Sequence, residues 1–188
     1  AVLERAGELT SPLRILDLGT GSGCIAISLA TQLPAARITA TDNSPAALLV
    51  AAANAETHGV ADRINFLEGD LYSPLQDEDR FEFIASNPPY IRHDEIATLA
   101  EDIRNHEPLS ALDGGADGLE IVRRLVASAA LHLQDQGWLL CEVSPEQAPA
   151  TRELIETTGE FTNFEIADDL GSRPRVVLAQ RTSKKPGP

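Results

Sequence analysis

Cationic residues are scarce in this chain. Fifteen Lys and Arg stand against 29 Asp and Glu, a net charge of −14 over 188 residues. That field repels polyphosphate, and a protein that grips nucleic acid through many phosphates carries a basic face, so stable nucleic-acid binding is not expected. No apolar run approaches the ~20 residues of a bilayer-spanning helix, so no membrane partner is expected. The start, Ala1-Val2-Leu3-Glu4-Arg5, does not pass from a basic into an apolar segment as a signal peptide does, which points to a cytoplasmic location. The two cysteines, Cys24 and Cys141, lie in apolar segments without CxxC spacing and are expected to be buried, reduced thiols. The four histidines (His58, His93, His106, His132) show neither HxxxH nor Cys/His ligand spacing, so no structural metal is expected. Internal repeats and a dividing linker are also missing.

What is present is an ordinary globular balance, 43% hydrophobic and 23% charged. It predicts one domain over residues 1–182, followed by a polar disordered tail, residues 183–188. Strand-like apolar runs alternate with helical patterns, the pattern of an α/β sheet covered on both faces. Strands are expected at residues 14–18, 37–41, 64–67, 81–86 and 138–143. Helices are expected at 24–33, 44–58 and 119–133, and from Ser144 to about residue 158. Ser44-Pro45 supplies an N-cap and a first-turn proline. Ser144-Pro145-Glu146-Gln147 has the form of a capping box. Residues 161–167 and 175–179 have no helical pattern between them and are expected to pair antiparallel. Residues 91–118 read as a long polar loop or partial helix facing a substrate.

Four segments at strand ends can carry chemistry. Asp17-Leu18-Gly19-Thr20-Gly21-Ser22-Gly23 joins the first strand to the first long helix. Alternate glycines let backbone turn sharply and lie against a ligand at the carboxyl edge of the sheet. The G-x-G-x-x-G spacing of NAD binding is not met, because position 24 is Cys; the D-x-G-x-G-x-G form is the one associated with S-adenosylmethionine. Asp42, ending the second strand, can accept from both ribose hydroxyls of a nucleoside. In Glu68-Gly69-Asp70-Leu71-Tyr72, Asp70 can accept from an adenine amino group and Leu71 can cover the adenine face.

The fourth segment, Asn87-Pro88-Pro89-Tyr90, follows the fourth strand. Each proline fixes its own φ and removes a donor, and each keeps the residue before it out of the α region. The loop is therefore stiff and extended. It offers one amide side chain, carbonyls without neighbouring N–H groups, and one aromatic ring, which suits the gripping of a planar –NH2 group.

With these segments in order, the chain resembles the S-adenosylmethionine-dependent methyltransferases of the seven-stranded Rossmann-like class, and more closely the HemK-type peptide-chain release factor N5-glutamine methyltransferases. The closer likeness rests on Asn105-His106-Glu107-Pro108, on residues 111–119 (Ala111-Leu112-Asp113-Gly114-Gly115-Ala116-Asp117-Gly118-Leu119), on residues 137–143 and on residues 169–177. The resemblance implies a mostly parallel seven-stranded sheet with a C-terminal antiparallel hairpin. It implies S-adenosylmethionine as cofactor, with S-adenosylhomocysteine as product, held by Gly19, Thr20, Gly21, Ser22, Gly23, Asp42, Asp70, Leu71 and Asn87. It implies a release factor as protein substrate, methylated on the glutamine of its Gly-Gly-Gln motif, with Asn87, Pro88, Pro89 and Tyr90 binding the substrate and Asn87, Pro88 and Tyr90 serving catalysis. The family carries a small helical domain ahead of the catalytic one; it is read as missing here, with residues 1–8 as the remainder of its connecting helix. Ser144 stands where many members have Gly.

The alternatives from the residues are a ribosomal-protein glutamine methyltransferase, a DNA adenine N6-methyltransferase, and a non-catalytic S-adenosylmethionine-binding module. A base-flipping enzyme wants basic and aromatic surface; the −14 charge argues against it.

Overall fold

The computed structural model describes residues 1–7 and 12–183. After a short helix α1 (Val2–Ala6), the chain alternates β1 (Arg14–Leu18), α2 (Cys24–Gln32), β2 (Arg37–Asp42), α3 (Pro45–Thr57), β3 (Ile64–Glu68) and β4 (Phe81–Ser86). Then come α4 (Glu101–His106), α5 (Leu109–Leu112), α6 (Glu120–His132), β5 (Leu133–Glu142), α7 (Ala148–Thr157), β6 (Phe161–Asp168) and β7 (Pro174–Arg181). Of the expected tail, Ser183 is described and residues 184–188 lie outside the described residues.

The strands form one seven-stranded sheet in the order β3-β2-β1-β4-β5-β7-β6. Strands β1 to β5 pair parallel, while β7 runs antiparallel to both β5 and β6. This is the Rossmann-like arrangement with a closing hairpin that was expected. Ile15, Leu16, Leu18, Phe83 and Ile84 are fully buried because helices cover both faces of the central strands. Each such side chain contributes ~1.5–3 kcal/mol of apolar burial. One core joins Leu16 and Ile84 to Val122, Leu125 and Val126 of α6 and Ile155 of α7. The other joins Ile15 and Phe83 to Ala6 of α1 and Ala26, Ile27 and Leu29 of α2.

The chain's order reverses between β1 and β4: β2 and β3 build outward on one side, β5 on the other. The carboxyl ends of β1 and β4 therefore flank a switch point, where open α/β sheets bind ligands. Leu18 and Ser86 are register partners, and the Ser86 hydroxyl donates to the Leu18 carbonyl at 2.7 Å. Gly19 and Asn87, the next residues, thus leave the sheet side by side.

Two elements differ from the sequence reading by more than a residue or two, β5 and the helix after it. Strand β5 begins at Leu133 rather than residue 138, because Leu133 pairs with Phe81 through an irregular register and Gln136 takes a left-handed φ of 65°. The helix expected from Ser144 is split into a 3-10 turn, Pro145–Gln147, and α7. Pro149 has no N–H to continue the α-helical bonding of the preceding turn. Residues 91–118 contain α4, α5 and a further 3-10 turn, Ile96–Thr98, joined by irregular backbone.

The cysteines are both free, but only Cys141 is buried. Cys24 is exposed, contrary to expectation, since it opens α2 while Ala26, Ile27, Leu29 and Ala30 take the face toward the sheet. Burial pushes the Cys141 thiol up to about 12, which makes it unreactive.

Candidate active site

The glycine loop is fixed from three sides. Gly19 and Thr20 both donate their N–H groups to the Thr41 carbonyl, at 2.9 and 3.0 Å. Gly21 N–H donates to Asp42 Oδ2 at 2.8 Å, while Asp42 Oδ1 accepts from Ser44 N–H at 2.9 Å. Each Asp42 oxygen has a second lone pair to offer. Ser44 Oγ caps α3 by accepting from Ala47 N–H at 3.2 Å, and Pro45 follows at the first helical position, as expected. Asn54 of α3 donates to the Ser22 carbonyl at 2.9 Å and ties the loop's far end to that helix.

Beneath the loop lies Asp17, fully buried. Its Oδ2 accepts from the Thr20 hydroxyl at 2.6 Å and from Ala26 N–H at 3.1 Å. Its Oδ1 has no hydrogen-bond partner among the described residues. Burial raises the carboxyl to about 6 against the restraining effect of those two bonds, with the charge of Asp42 adding to the rise. Sequence reasoning treated Asp17 only as the first letter of a motif; an acidic residue one position inside a strand end was the available signal.

The segment after β3 is a tight turn. Asp70 N–H donates to Ser73 Oγ at 2.9 Å, and Leu71 sits at φ 50° with its carbonyl accepting from the Thr41 hydroxyl at 3.0 Å. Asp70 is exposed, and its Oδ2 accepts from Arg124 of α6. Tyr72 turns away from this edge: it donates to the Leu125 carbonyl at 3.0 Å and stacks on His132 with ring centroids 5.0 Å apart.

The Asn87 loop has an exposed Asn87, a buried Pro88 and half-buried Pro89 and Tyr90. What supports it comes from distant parts of the chain. Ile91 N–H donates to the Leu112 carbonyl at 3.0 Å, and Gly114 N–H to the Ile91 carbonyl at 2.8 Å. His93 N–H donates to the Gly115 carbonyl at 3.0 Å, and the His93 ring meets Asp113 Oδ2 at 2.7 Å. That contact raises the His93 pKa and lowers that of Asp113. The Tyr90 carbonyl accepts from Gln147 Nε2 at 2.8 Å, and its hydroxyl accepts from Arg175 Nη1 at 3.3 Å. The glycine loop, Asp42, Asp70-Leu71 and the Asn87 loop thus all stand at the carboxyl ends of the parallel strands, which they follow or end in chain order. Gln147 and Arg175 were not singled out from the sequence as site residues.

A separate cavity of about 570 Å³ lies at the opposite edge of the sheet, bounded by Arg5, Glu82, Gln134, Trp138 and Glu165 among others. Arg5 of α1 stacks 4.5 Å above the Trp138 ring and pairs with Glu165 at 2.5 Å. None of the expected site residues lines it. Among the described residues no cluster of three or more His, Cys, Asp or Glu could hold a metal ion, and no helix is long and apolar enough to cross a membrane.

Comparison with known proteins agrees with this geometry. The release factor glutamine methyltransferase of Gloeobacter violaceus is 44% identical over 165 residues, 88% of this chain and 57% of that protein. That of Moorella thermoacetica is 44% identical over 181 residues, 96% of this chain and 63% of that protein. The chain thus spans about three fifths of the length of the curated relatives it matches. Among solved structures, a ribosomal protein L11 methylase from Lactobacillus delbrueckii superimposes with a TM-score of 0.66 at 20% identity, covering 96% of this chain and 75% of that one. A 16S rRNA N2 G1207 methyltransferase from Thermus thermophilus, solved with AdoMet and guanosine, gives 0.65 at 22% identity, covering 96% and 40%. These two share the fold. Residues 4–106, which hold the glycine loop, Asp42 and the Asn87 loop, match the methyltransferase small domain, and the chain belongs to that family.

Proposed function

We propose that this chain is the catalytic part of a protein-(glutamine-N5) methyltransferase. It moves a methyl group from S-adenosylmethionine to the side-chain amide nitrogen of the glutamine in the Gly-Gly-Gln motif of peptide-chain release factors. Residues 1–182 form its catalytic domain, and the cytoplasm is its setting. The observation that carries the reading is Asn87, whose exposed amide leaves the sheet beside Gly19 with the buried Pro88 behind it. The identity of 38–44% to release factor glutamine methyltransferases supports the choice of glutamine. The acidic chain supports a protein substrate over a polyanion.

The residues suit S-adenosylmethionine. A Cβ at Gly19 or Gly21 would meet nothing within 4 Å, so the backbone there is open to a ligand. Asp17 Oδ1, buried and without a partner, suits a cationic molecule. Asp42 keeps lone pairs for ribose hydroxyls, and Asp70 with Leu71 suits the adenine. Thr20, Ser22 and Gly23 shape the loop, and Asn87 closes its reactive side. Bound there, S-adenosylmethionine supplies a methyl group on an electron-poor sulfonium.

The chain's own work is on the glutamine. An amide nitrogen is a weak nucleophile because its lone pair is delocalised into the carbonyl. Asn87 Oδ1 and the Pro88 carbonyl accept the two amide N–H bonds, fix the group's orientation and hold electron density on nitrogen. Pro88 and Pro89 contribute no N–H, so neither competes for those oxygens. Tyr90 packs against the planar amide or the adjoining substrate. The methylated nitrogen is acidic and sheds its proton to solvent, so no strong base is required. Catalysis is then positioning and electrostatics.

The test incubates the protein carrying this chain with methyl-labelled S-adenosylmethionine and a release factor. Label is expected on the release factor and not on its Gly-Gly-Gln variant with Ala for Gln. An unlabelled release factor would sink the reading, and label on plasmid DNA instead would favour the adenine reading.

A further inference from the structure

Gln147 is buried, with 8% of its surface exposed, and makes three hydrogen bonds with two different halves of its amide. Its Oε1 accepts from Ser144 N–H at 3.2 Å. This is the Gln147 arm of a capping box with Ser144. Its Nε2 faces the other way. It donates to the Tyr90 carbonyl at 2.8 Å and to the Asp117 carbonyl at 3.4 Å. A helix cap needs only the first half. The second half joins the turn after β5 to the Asn87 loop and to the loop before α6.

The close fit around this amide is built into the backbone. Gly118 passes between Gln147 and Tyr90, and a Cβ there would overlap both Gln147 Nε2 and the Tyr90 carbonyl oxygen. A Cβ on Gly114 would come within 2.8 Å of the Pro89 carbonyl oxygen. Pro88 and Pro89 cannot anchor the loop through their own amides. Its position therefore depends on what grips the Tyr90 carbonyl, and among the described residues Gln147 Nε2 is the side-chain donor that does so.

The geometry points to Gln147 as a positioning residue for methyl transfer. By holding the Tyr90 carbonyl, it fixes the direction in which Pro88 and Asn87 present their acceptors to the glutamine amide. The inference rests on the function proposed above for the Asn87 loop, and Gln147 itself touches no substrate. Charged neighbours are engaged elsewhere or exposed: Asp117 pairs with Arg123, Arg175 binds the far end of Tyr90, and Glu146 faces solvent.

Gln147→Glu separates the two halves of the amide. Glutamate keeps the acceptor for Ser144 N–H and is itself a standard capping-box residue. At about pH 8 it has lost the donor and sets a carboxylate against two carbonyl oxygens. Turnover on the release factor is expected to fall about tenfold or more relative to wild type at that pH. S-adenosylmethionine affinity should stay within about twofold. As pH is lowered toward about 6, the carboxyl protonates, the donor returns, and the ratio to wild type should recover. Gln147→Ala should show the loss without the recovery. Hydrogen exchange over residues 90–93 and 113–119, against wild type at the same pH, should be faster in Gln147→Glu at about pH 8 and normal at about pH 6. That readout needs no methylation substrate, so it tests the staple even if the release factor reading fails. Wild-type turnover and exchange in Gln147→Glu across the range would overturn the inference. So would a loss of turnover that never recovers and is matched by an equal loss of S-adenosylmethionine affinity.

Discussion

Arg175 Nη1 donates to the Tyr90 hydroxyl at 3.3 Å, joining β7 to the Asn87 loop. The same guanidinium donates to the Val143 carbonyl at 3.4 Å and lies 3.8 Å from Asp169. Tyr90 is thereby held at its hydroxyl by β7 and at its carbonyl by Gln147. Because the Tyr90 hydroxyl is held by a cation that is itself anchored, Arg175→Ala should lower turnover about tenfold, the effect of losing roughly one charged hydrogen bond, while S-adenosylmethionine affinity is unchanged. Tyr90→Phe should lower it less, since the ring remains. A double-mutant cycle on kcat should give a coupling of about 1 kcal/mol. Simple additivity of the two changes would show that the bond does no work in the reaction.

Asn87 is the exposed end of a loop whose remaining residues are buried or half-buried, so its side chain is free to serve a ligand. Asn87→Ala removes the acceptor proposed for the reacting amide but no packing. Turnover should fall by about 10²-fold or more, as for loss of one preorganised electrostatic partner. S-adenosylmethionine affinity and thermal stability should change little. Steady-state kinetics with calorimetry separates these effects, and near-normal turnover would remove Asn87 from the mechanism.

The order of strands and helices was legible because each element carries local signals. Ser44-Pro45 marked the start of α3, and Pro88-Pro89 marked the end of β4. The strand-end residues followed from the glycine spacing and from where α/β sheets bind ligands. What holds the Asn87 loop was not legible. Gln147 and Tyr90 lie 57 positions apart, and Arg175 and Tyr90 lie 85 apart. No local pattern encodes such pairs. Gln147 was visible only as a capping residue, since that role depends on neighbours in sequence. The ion pair of Asp70 with Arg124, 54 positions on, was hidden for the same reason. Cys24 was misread because an apolar segment at the start of a helix does not reveal which residues face the sheet.

Asp17 makes stability depend on pH. Burial lifts its carboxyl from an ordinary 3.8 to about 6 in the folded protein. Between those values the folded state holds a proton that the unfolded chain has released. Stability from this group is therefore full below about pH 4 and lost as pH rises through about 6, a change of about 3 kcal/mol. Asp17→Asn does not titrate, so the wild-type minus variant stability should shift by that amount between pH 4 and 7 in denaturant unfolding. A difference that stays flat with pH would show that Asp17 ionises normally. A cation bound at Oδ1 favours the ionised form, so wild-type affinity for S-adenosylmethionine should weaken below about pH 6, and that of Asp17→Asn should not.

Gly21 and Gly23 separate the loop's proposed ligand-facing role from its packing role. Both sit at positive φ, +56° and +86°, where an L side chain costs ~1–2 kcal/mol. Around Gly21 a Cβ would find open space. At Gly23 it would press on Ile27 Cδ1 at 3.0 Å and Ala51 Cβ at 3.1 Å, between α2 and α3. Gly23→Ala should therefore cost the strain plus overpacking, about 2–5 kcal/mol in all, measured by denaturant unfolding. Gly21→Ala should cost only the strain, yet weaken S-adenosylmethionine binding by about tenfold or more, because its methyl group would enter the open space proposed for the ligand. Tight binding in a stable Gly21→Ala protein would mean that the backbone at Gly21 does not line the cofactor, and the methyl donor would then have to be sought elsewhere along the carboxyl edge of the sheet.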